Sequence, residues 1–328
     1  MWMNRPVTKL FTAILLGLMW VLPAHGAKYA GDPFSLGVGA RGLAMGGAMV
    51  AGPFDATAAY WNPAGLVDLR GHNVAAMHAE TFGSLLNHDF LSYAHQRDNG
   101  ISRVTAWGAY LYYLGGGGIR ITAIDPLTNR YYVLSEESHA DVLLAGSIAG
   151  RLADRIDFGA TAKIIHRDIG TESGKGLTVD FGLRWRWQPW LHLGLMVTDA
   201  TSGFIRYSGK TFDQGAHTES IYPTVKPGLL LSHTWRDFTG RMAAAGDIRF
   251  ENLDDAAEYY AGSFSLDSHL GWEIGWRETV FGRLGFDIGR FTAGGGLNVR
   301  NVAVDFAWLH HSELDETFRV SASYRWGE

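Results

Sequence analysis

The last strand-like run of the chain, residues 318–326, alternates apolar and polar residues at every step. One face of such a strand carries five apolar or aromatic side chains and the other carries two arginines and two serines, because successive Cβ atoms point to opposite faces. The face with arginines and serines does not suit a dry protein core, and the apolar face does not suit a surface exposed to water. A strand with lipid on one side and a wet lumen on the other suits both, so the run predicts a transmembrane β-barrel.

The same alternation recurs in residues 156–164, 175–187, 270–277 and 302–308. An arginine that points at the bilayer midplane costs about 2–4 kcal/mol, so we expect the charged side chains of these runs to face the lumen. There they would pair across strands, or alternatively line a polar path, and pairing is favoured because a buried charge needs a partner. The predicted lumen charges are Asp157, Lys163, Asp180, Arg184, Arg186, Glu273, Arg277, Arg283, Asp305, Arg319 and Arg325.

With weaker runs included, residues 73–328 are predicted to form one antiparallel all-β barrel domain of about 14 strands. Its strands are expected at 73–80, 87–96, 102–113, 139–149, 154–167, 175–187, 191–199, 224–235, 239–250, 268–278, 280–288, 290–299, 301–311 and 317–326.

The connections between these strands are of two kinds. Those that follow even-numbered strands are short, whereas three that follow odd-numbered strands are long, at 114–138, 200–223 and 251–267. Bacterial barrels have short periplasmic turns and longer outer loops, so this asymmetry supports the barrel and orients it. Residues 170–176 are predicted to be an outer loop, and residues 256–265 fit either a strand or a loop.

The N-terminus and the composition indicate where such a barrel would reside. Arg5 and Lys9 precede an apolar run at 10–22, and Ala24-His25-Gly26 follows it. This pattern predicts a secretory signal peptide at 1–26, and the run is too short for a membrane-spanning helix. The chain has no cysteine and a formal net charge of −5, which excludes a disulfide framework, a thiolate metal site and a nucleic-acid footprint. We therefore expect the protein to be exported and to reside in the cell outer membrane.

Residues 27–72 do not alternate and are rich in small side chains. A GxGxxG-like spacing occurs there, but no strand precedes it, so we expect no dinucleotide cofactor. Small residues that pack tightly inside the lumen explain the composition better, and the proline of the NPAG sequence predicts a fixed turn. The residues expected to form or gate this hatch are Gly37, Gly39, Arg41, Gly42, Asn62, Pro63, Ala64 and Gly65.

Acidic and histidine side chains cluster near one predicted strand, 301–311, and its outer loop, and a hydrolase is the reaction class they would fit. No nucleophile is linked to them by a specific motif, and their spacing defines no metal-ligand set. We therefore predict neither an enzyme nor a metal site. The five residues are Asp305, His310, His311, Glu313 and Asp315.

Three stretches of the chain carry a family resemblance: residues 37–48, the AAYWNPAGL sequence at 58–66, and residues 283–321. They resemble the PorV/PorQ family, which looks like a branch of the FadL-type outer-membrane transporters. The resemblance implies a 14-stranded barrel, an N-terminal hatch, and passage of hydrophobic small molecules across the outer membrane. For PorV-like proteins it implies instead an accessory role in type IX-like secretion, with outer loops that bind exported proteins.

The implied partners are outer-membrane lipid, the barrel-assembly machinery, and either a hydrophobic solute or secreted proteins. The chain departs from the FadL pattern in two respects. It is shorter and lacks long amphipathic helices in its outer loops, and Gly327 and Glu328 follow the terminal aromatic residue, Trp326.

Overall fold

The computed structural model describes residues 32–81, 86–96, 103–170, 172–209, 216–251, 253, 257–310 and 316–327. The predicted signal peptide and the residues His311, Glu313 and Asp315 lie outside these ranges. Two 3₁₀ turns and two short α-helices precede the first strand: η1 Asp32–Phe34, α1 Ala40–Ala44, α2 Ala58–Trp61 and η2 Pro63–Asp68. Within the described ranges, no helix is both long and apolar enough to cross a membrane.

The rest of the described chain is β-structure. The strands are β1 Gly71–Thr81, β2 Leu86–Gln96, β3 Val104–Ile124, β4 Tyr131–Ala153, β5 Ile156–Asp168, β6 Glu172–Gln188, β7 Leu191–Thr198, β8 Phe204–Gly209, β9 His217–Ser220, β10 Thr224–Trp235, β11 Phe238–Arg249, β12 Tyr259–Ala261, β13 Phe264–Trp276, β14 Val280–Asp287, β15 Arg290–Val299, β16 Val302–Leu309 and β17 Thr317–Trp326.

These strands close into an antiparallel barrel. Each wall strand pairs with its neighbour, β7 pairs with β10, β11 pairs with β13, and β1 pairs with both β2 and β17. Of the 17 strands described, β8, β9 and β12 stand outside the ring, which leaves 14 in the wall. The predicted 14-stranded barrel is confirmed, and closure leaves no wall strand with an unpaired edge.

The two faces of the wall follow the alternation. On β17, Phe318 and Val320 are 54% and 52% exposed on the outer face, while Arg319 and Ser321 are 5% and 9% exposed on the inner face. The outer face is therefore apolar where lipid would contact it, and the inner face holds the polar side chains. We call the end of the barrel that carries the β3–β4, β7–β10 and β11–β13 connections the loop rim, and the opposite end the turn rim.

The predicted loop at 114–138 is wrong, because β3 and β4 continue through most of it as a two-stranded hairpin. Ile124 pairs with Tyr131 next to the tip, and the register shifts between Gly116 and Ile119. Leu127, at the tip, is 94% exposed. Both faces of this hairpin lie outside the wall, so the alternation that marks the other strands is absent there.

Two smaller predictions also need correction or completion. Residues 172–176 belong to β6 and not to an outer loop. The outward positions there carry Ser173 and Lys175, which interrupt the apolar pattern without ending the strand. Residues 256–265 contain both β12 and the start of β13, so neither alternative covers the whole stretch. The 200–223 connection likewise contains β8 and β9.

Candidate functional site

Residues 33–70, which we call the N-terminal segment, contact wall strands on every side. A Cβ atom placed on any of seven inward-facing wall glycines would come within 3.0 Å of this segment. Because these glycines lie on strands distributed around the ring, the segment lies inside the lumen, and the absent side chains make room for its backbone. The seven are Gly159, Gly182, Gly194, Gly228, Gly271, Gly285 and Gly294.

Within the segment, the indole ring of Trp61 packs against glycines. A Cβ atom on Gly37 or Gly42 would lie 3.0 Å or less from that ring, and Gly37 and Gly39 also have positive φ angles of 76° and 74°. The indole nitrogen of Trp61 donates a hydrogen bond to the carbonyl oxygen of Val38 at 3.1 Å. The GxGxxG-like spacing therefore serves ring packing and left-handed backbone.

The predicted turn at Asn62–Gly65 is present. Asn62 has an extended backbone, and its side-chain oxygen accepts a hydrogen bond from the amide of Ala64 at 3.0 Å. Its side-chain nitrogen donates to the carbonyl oxygen of Val50 at 2.7 Å and to that of Leu183 on β6 at 3.2 Å. One fully buried amide thus links two parts of the segment to the wall.

An ion-pair cluster joins Arg41 to the opposite wall. The Arg41 guanidinium donates two hydrogen bonds to Glu273 on β13, at 3.0 and 2.8 Å. Arg241 and Arg283 also donate to Glu273, at 2.7 and 2.6 Å, and Arg283 donates to Asp305 at 2.7 Å. Three arginines around one buried carboxylate form a network that ties the segment to β11, β13 and β14.

A second cluster ties the other end of the segment to β5 and β6. Arg184 donates hydrogen bonds to both carboxylate oxygens of Asp68 and also to Asp157, which Arg186 contacts at 3.0 Å. Burial disfavours the charged carboxylate of Asp68, but the hydrogen bonds and charge of Arg184 outweigh burial and hold its pKa below the ordinary value. Asp68 lies outside the alternating runs, so the sequence did not single it out.

The remaining predicted lumen charges fall into three groups. Lys163 bridges Asp180 and an acidic residue of the β7–β8 connection, Asp199, at 2.7 Å each. Arg319 is buried and donates to the carbonyl oxygen of Leu36 at 3.2 Å. Arg325 lies on the same inner face of β17 as Arg319, at the turn rim, and is partly buried.

Arg277 does not face the lumen. It lies in the turn after β13, stacks on the ring of Trp276, and pairs with Asp237 at 3.2 Å, both side chains being exposed. The positive φ of Arg277 marks the turn, so the alternation of β13 ends one residue earlier than predicted.

The residues considered for a hydrolase do not assemble in the described part of the chain. Asp305 faces the lumen and pairs with Arg283, whereas His310 follows β16 and lies beside the ring of Trp308. Among the described residues, no group of three histidine, cysteine or acidic side chains is placed to hold a metal ion.

A cavity of about 120 Å³ lies between the N-terminal segment and the loop rim. Leu36 and Trp61 of the segment border it, together with Thr198, Thr224 and Asp287, which lie at the loop-rim ends of β7, β10 and β14. The segment thus forms the floor of a small chamber that faces the loop rim.

Comparison with solved structures places this architecture among known barrels. The Ralstonia pickettii toluene transporter TbuX matches with a TM-score of 0.58 and 14% sequence identity, over 89% of this chain and 99% of that chain. The monoaromatic hydrocarbon channel CymD matches with a TM-score of 0.59 and 13% identity, over 89% and 98%. The chain shares their barrel fold. The Pseudomonas putida toluene transporter TodX matches with a TM-score of 0.53 and 12% identity, over 88% and 97%.

No protein-family model matches the chain, and no curated protein matches it. At 12–14% identity, the three solved structures show a shared barrel fold. The resemblance to PorV/PorQ stays a prediction.

Proposed function

We propose that this chain carries hydrophobic small molecules across the outer membrane through its barrel, with the N-terminal segment as a hatch. The observation that carries the proposal is the segment itself, which reaches glycines on seven wall strands and leaves a chamber on its loop-rim side. Transport would then require part of the segment to move. The shared fold with toluene transporters supports the solute class.

The two ion-pair clusters hold the segment to the wall. When the segment moves, each cluster would have to break or to stay in place as a fixed point. The Arg41 cluster holds the first half of the segment, and the Asp68 cluster holds its end. The described contact between Asn62 and Leu183 lies beside the second cluster, on the same strand. We propose that the end near Asp68 stays anchored, because it leads directly into β1, and that the first half moves.

A disulfide lock tests the hatch. The amide of Ala40 donates to the side-chain oxygen of Ser321 at 3.1 Å, so the paired variant Ala40→Cys/Ser321→Cys introduces two cysteines at contacting positions of the segment and β17. Uptake of a radiolabelled monoaromatic compound into cells or proteoliposomes should stop on oxidation and resume on reduction. The chain has no native cysteine to interfere.

The matched control is Thr234→Cys/Thr239→Cys, which joins the neighbouring wall strands β10 and β11 at a pair whose side-chain oxygens lie 3.3 Å apart. Oxidation of this variant should leave uptake unchanged. Equal uptake by the oxidised and reduced forms of the Ala40/Ser321 variant would show that the segment does not gate the barrel.

One observation favours a second candidate function, binding of exported proteins in the PorV-like manner. The β3–β4 hairpin projects beyond the wall and exposes Leu127, Tyr131 and Leu134 at 94%, 78% and 63%. Exposed apolar groups of this kind mark interaction sites. Removal of residues 119–134 with a short replacement turn should abolish co-purification of exported proteins while sparing solute uptake.

A further inference from the structure

The chamber above the N-terminal segment has two unlike sides. One side is apolar and aromatic. Phe34, Tyr60 and Tyr110 border the cavity together with Leu36 and Trp61. The rings of Tyr60 and Trp61 meet edge to face with centroids 5.2 Å apart, and those of Tyr60 and Tyr110 do so at 6.0 Å. This side offers ring faces and edges to a flat apolar body.

The aromatic side is also fixed. The hydroxyl of Tyr60 donates to the carbonyl oxygen of Phe34 at 2.8 Å and accepts a hydrogen bond from the amide of Gly37 at 3.1 Å. Burial raises the pKa of the Tyr60 phenol above its ordinary value, so the ring stays neutral. The ring faces are therefore held in place before any solute arrives.

The other side is charged. Five carboxylate side chains border the cavity, against three lysine or arginine side chains and one histidine. Lys163 lies between Asp180 and Asp199 at 2.7 Å from each, so one cation there serves two carboxylates. Lys226 contacts Asp247, completing a second pairing at the same cavity.

Asp287 is the most exposed carboxylate in these pairs. It contacts the Nδ1 atom of His269 at 2.9 Å while its side chain remains 32% exposed. Asp199 is 16% exposed and Asp180 is 3% exposed. Lys226 is 22% exposed at the same cavity, so the accessible charge is mixed in sign, with carboxylates in excess. The aromatic rings that border the cavity also attract cations through their faces.

A neutral hydrocarbon fits the aromatic side but brings no charge to the other side, where five carboxylates outnumber three lysine or arginine side chains and one histidine. Bringing apolar surface against charged groups removes water from them without replacing its hydrogen bonds, which is unfavourable. We infer that the chamber binds a small amphipathic solute with a single-ring-sized apolar body and a positively charged amine group. The body would lie on the Tyr60 and Trp61 side, and the amine would lie towards Asp287 and Asp199.

The cavity sets the size of that solute. Its volume of about 120 Å³ is close to that of cavities of about 150 Å³ that hold benzene. A fatty acyl chain exceeds this volume, and an added carboxylate would face like charge. The inference rests on the proposed function for how the solute reaches the chamber, and it narrows the solute class from hydrophobic compounds in general to amines with an apolar body.

Three probes with one ring and different charges test the inference: benzylammonium, toluene and benzoate. Their binding to the purified full chain in mild detergent at neutral pH is measured by titration calorimetry. We expect benzylammonium to bind at least about tenfold more tightly than either of the others. Toluene or benzoate binding as tightly as benzylammonium would overturn the inference, and so would no binding of any probe.

A pair of matched substitutions separates a charge effect from a folding effect. Asp287→Asn keeps the shape and hydrogen-bonding capacity of the side chain. It should weaken the binding of benzylammonium about tenfold and leave the affinity for toluene unchanged. Asp89→Asn makes the same change on the outer face of β2, where Asp89 contacts His78 at 2.7 Å, and should change neither. Equal weakening of both probes by Asp287→Asn would overturn the assignment.

The transport proposal fails separately. If benzylammonium binds as expected but the disulfide lock has no effect on uptake, the chamber is a binding site and the hatch proposal is wrong. If the lock stops uptake of toluene while benzylammonium shows no preference, the hatch stands and the amine inference is wrong.

Discussion

The fit between wall glycines and the N-terminal segment makes a quantitative prediction about β14. A Cβ atom on Gly285 would lie 2.6 Å from the carbonyl carbon of Met45, about 0.8 Å inside an ordinary contact of about 3.4 Å. Because the obstacle is backbone, Gly285→Ala must displace the segment, and overpacking of this kind costs about 1–3 kcal/mol. We expect the free energy of unfolding to fall by that amount.

Gly282 supplies the control three residues earlier on the same strand. A Cβ atom there would face outward, with Ile274 at an ordinary 3.7 Å, so Gly282→Ala should be neutral or should stabilise the strand by about 0.5–1 kcal/mol. Unfolding of both variants in urea can be followed by tryptophan fluorescence and by the heat-dependent gel shift.

A second measurement separates segment displacement from general loss of stability. In planar bilayers, Gly285→Ala should raise ionic leak through the barrel, because the shifted segment no longer seals against β14. Gly282→Ala should match the wild-type protein. If the two variants have equal unfolding free energies and equal leak, the segment does not pack against the wall as described.

Three further outcomes follow from other contacts. Trp61→Ala removes the ring that the segment glycines surround, and it should lower the unfolding free energy by about 3–5 kcal/mol in the same urea assay, since truncation leaves a cavity. The pKa of Asp68 is lowered in the folded protein, so its pairing with Arg184 stabilises the segment fully at neutral pH. This stabilisation is lost as the pH falls below about 4 and through the lower folded-state pKa. Ionic leak through the wild-type protein should therefore rise in acid, and Asp68→Asn should show the raised leak already at neutral pH. Val320→Arg places a charge on the lipid-facing side and should impair membrane assembly, at a cost of about 2–4 kcal/mol, whereas Leu127→Arg at the hairpin tip should leave the heat-modifiable band intact.

The wall was predictable because lipid imposes a rule on each of its residues. A strand between lipid and a polar lumen must alternate, and a run such as 177–187 does so without a break. The rule ends where lipid ends. For this reason the sequence pattern predicts a loop for the outer half of the β3–β4 hairpin, whose two faces both lie outside the wall. It also predicts a lumen position for Arg277, which lies in a turn.

The lumen was predictable only in part. Alternation assigns Glu273 and Arg184 to the inner face, but it does not say which residues of the N-terminal segment they contact. Their partners Arg41 and Asp68 belong to a segment without periodicity, so the pairing depends on tertiary packing. The chamber likewise joins side chains from distant parts of the sequence, such as Tyr60 and Asp287, and no local spacing connects them.

The pairing of β1 with β17 has a consequence for the order of assembly. The ring closes between its first and last strands, with His72 opposite Trp326 and Glu80 opposite Phe318. The N-terminal segment is covalently attached to β1 and makes contacts with β13 to β17, strands that are synthesised last. Threading it through a completed wall would require the strands to separate, so it must be enclosed as the seam forms. The final step of folding therefore both pairs β1 with β17 and encloses the N-terminal segment. A chain truncated before β17 would neither close the barrel nor enclose the segment.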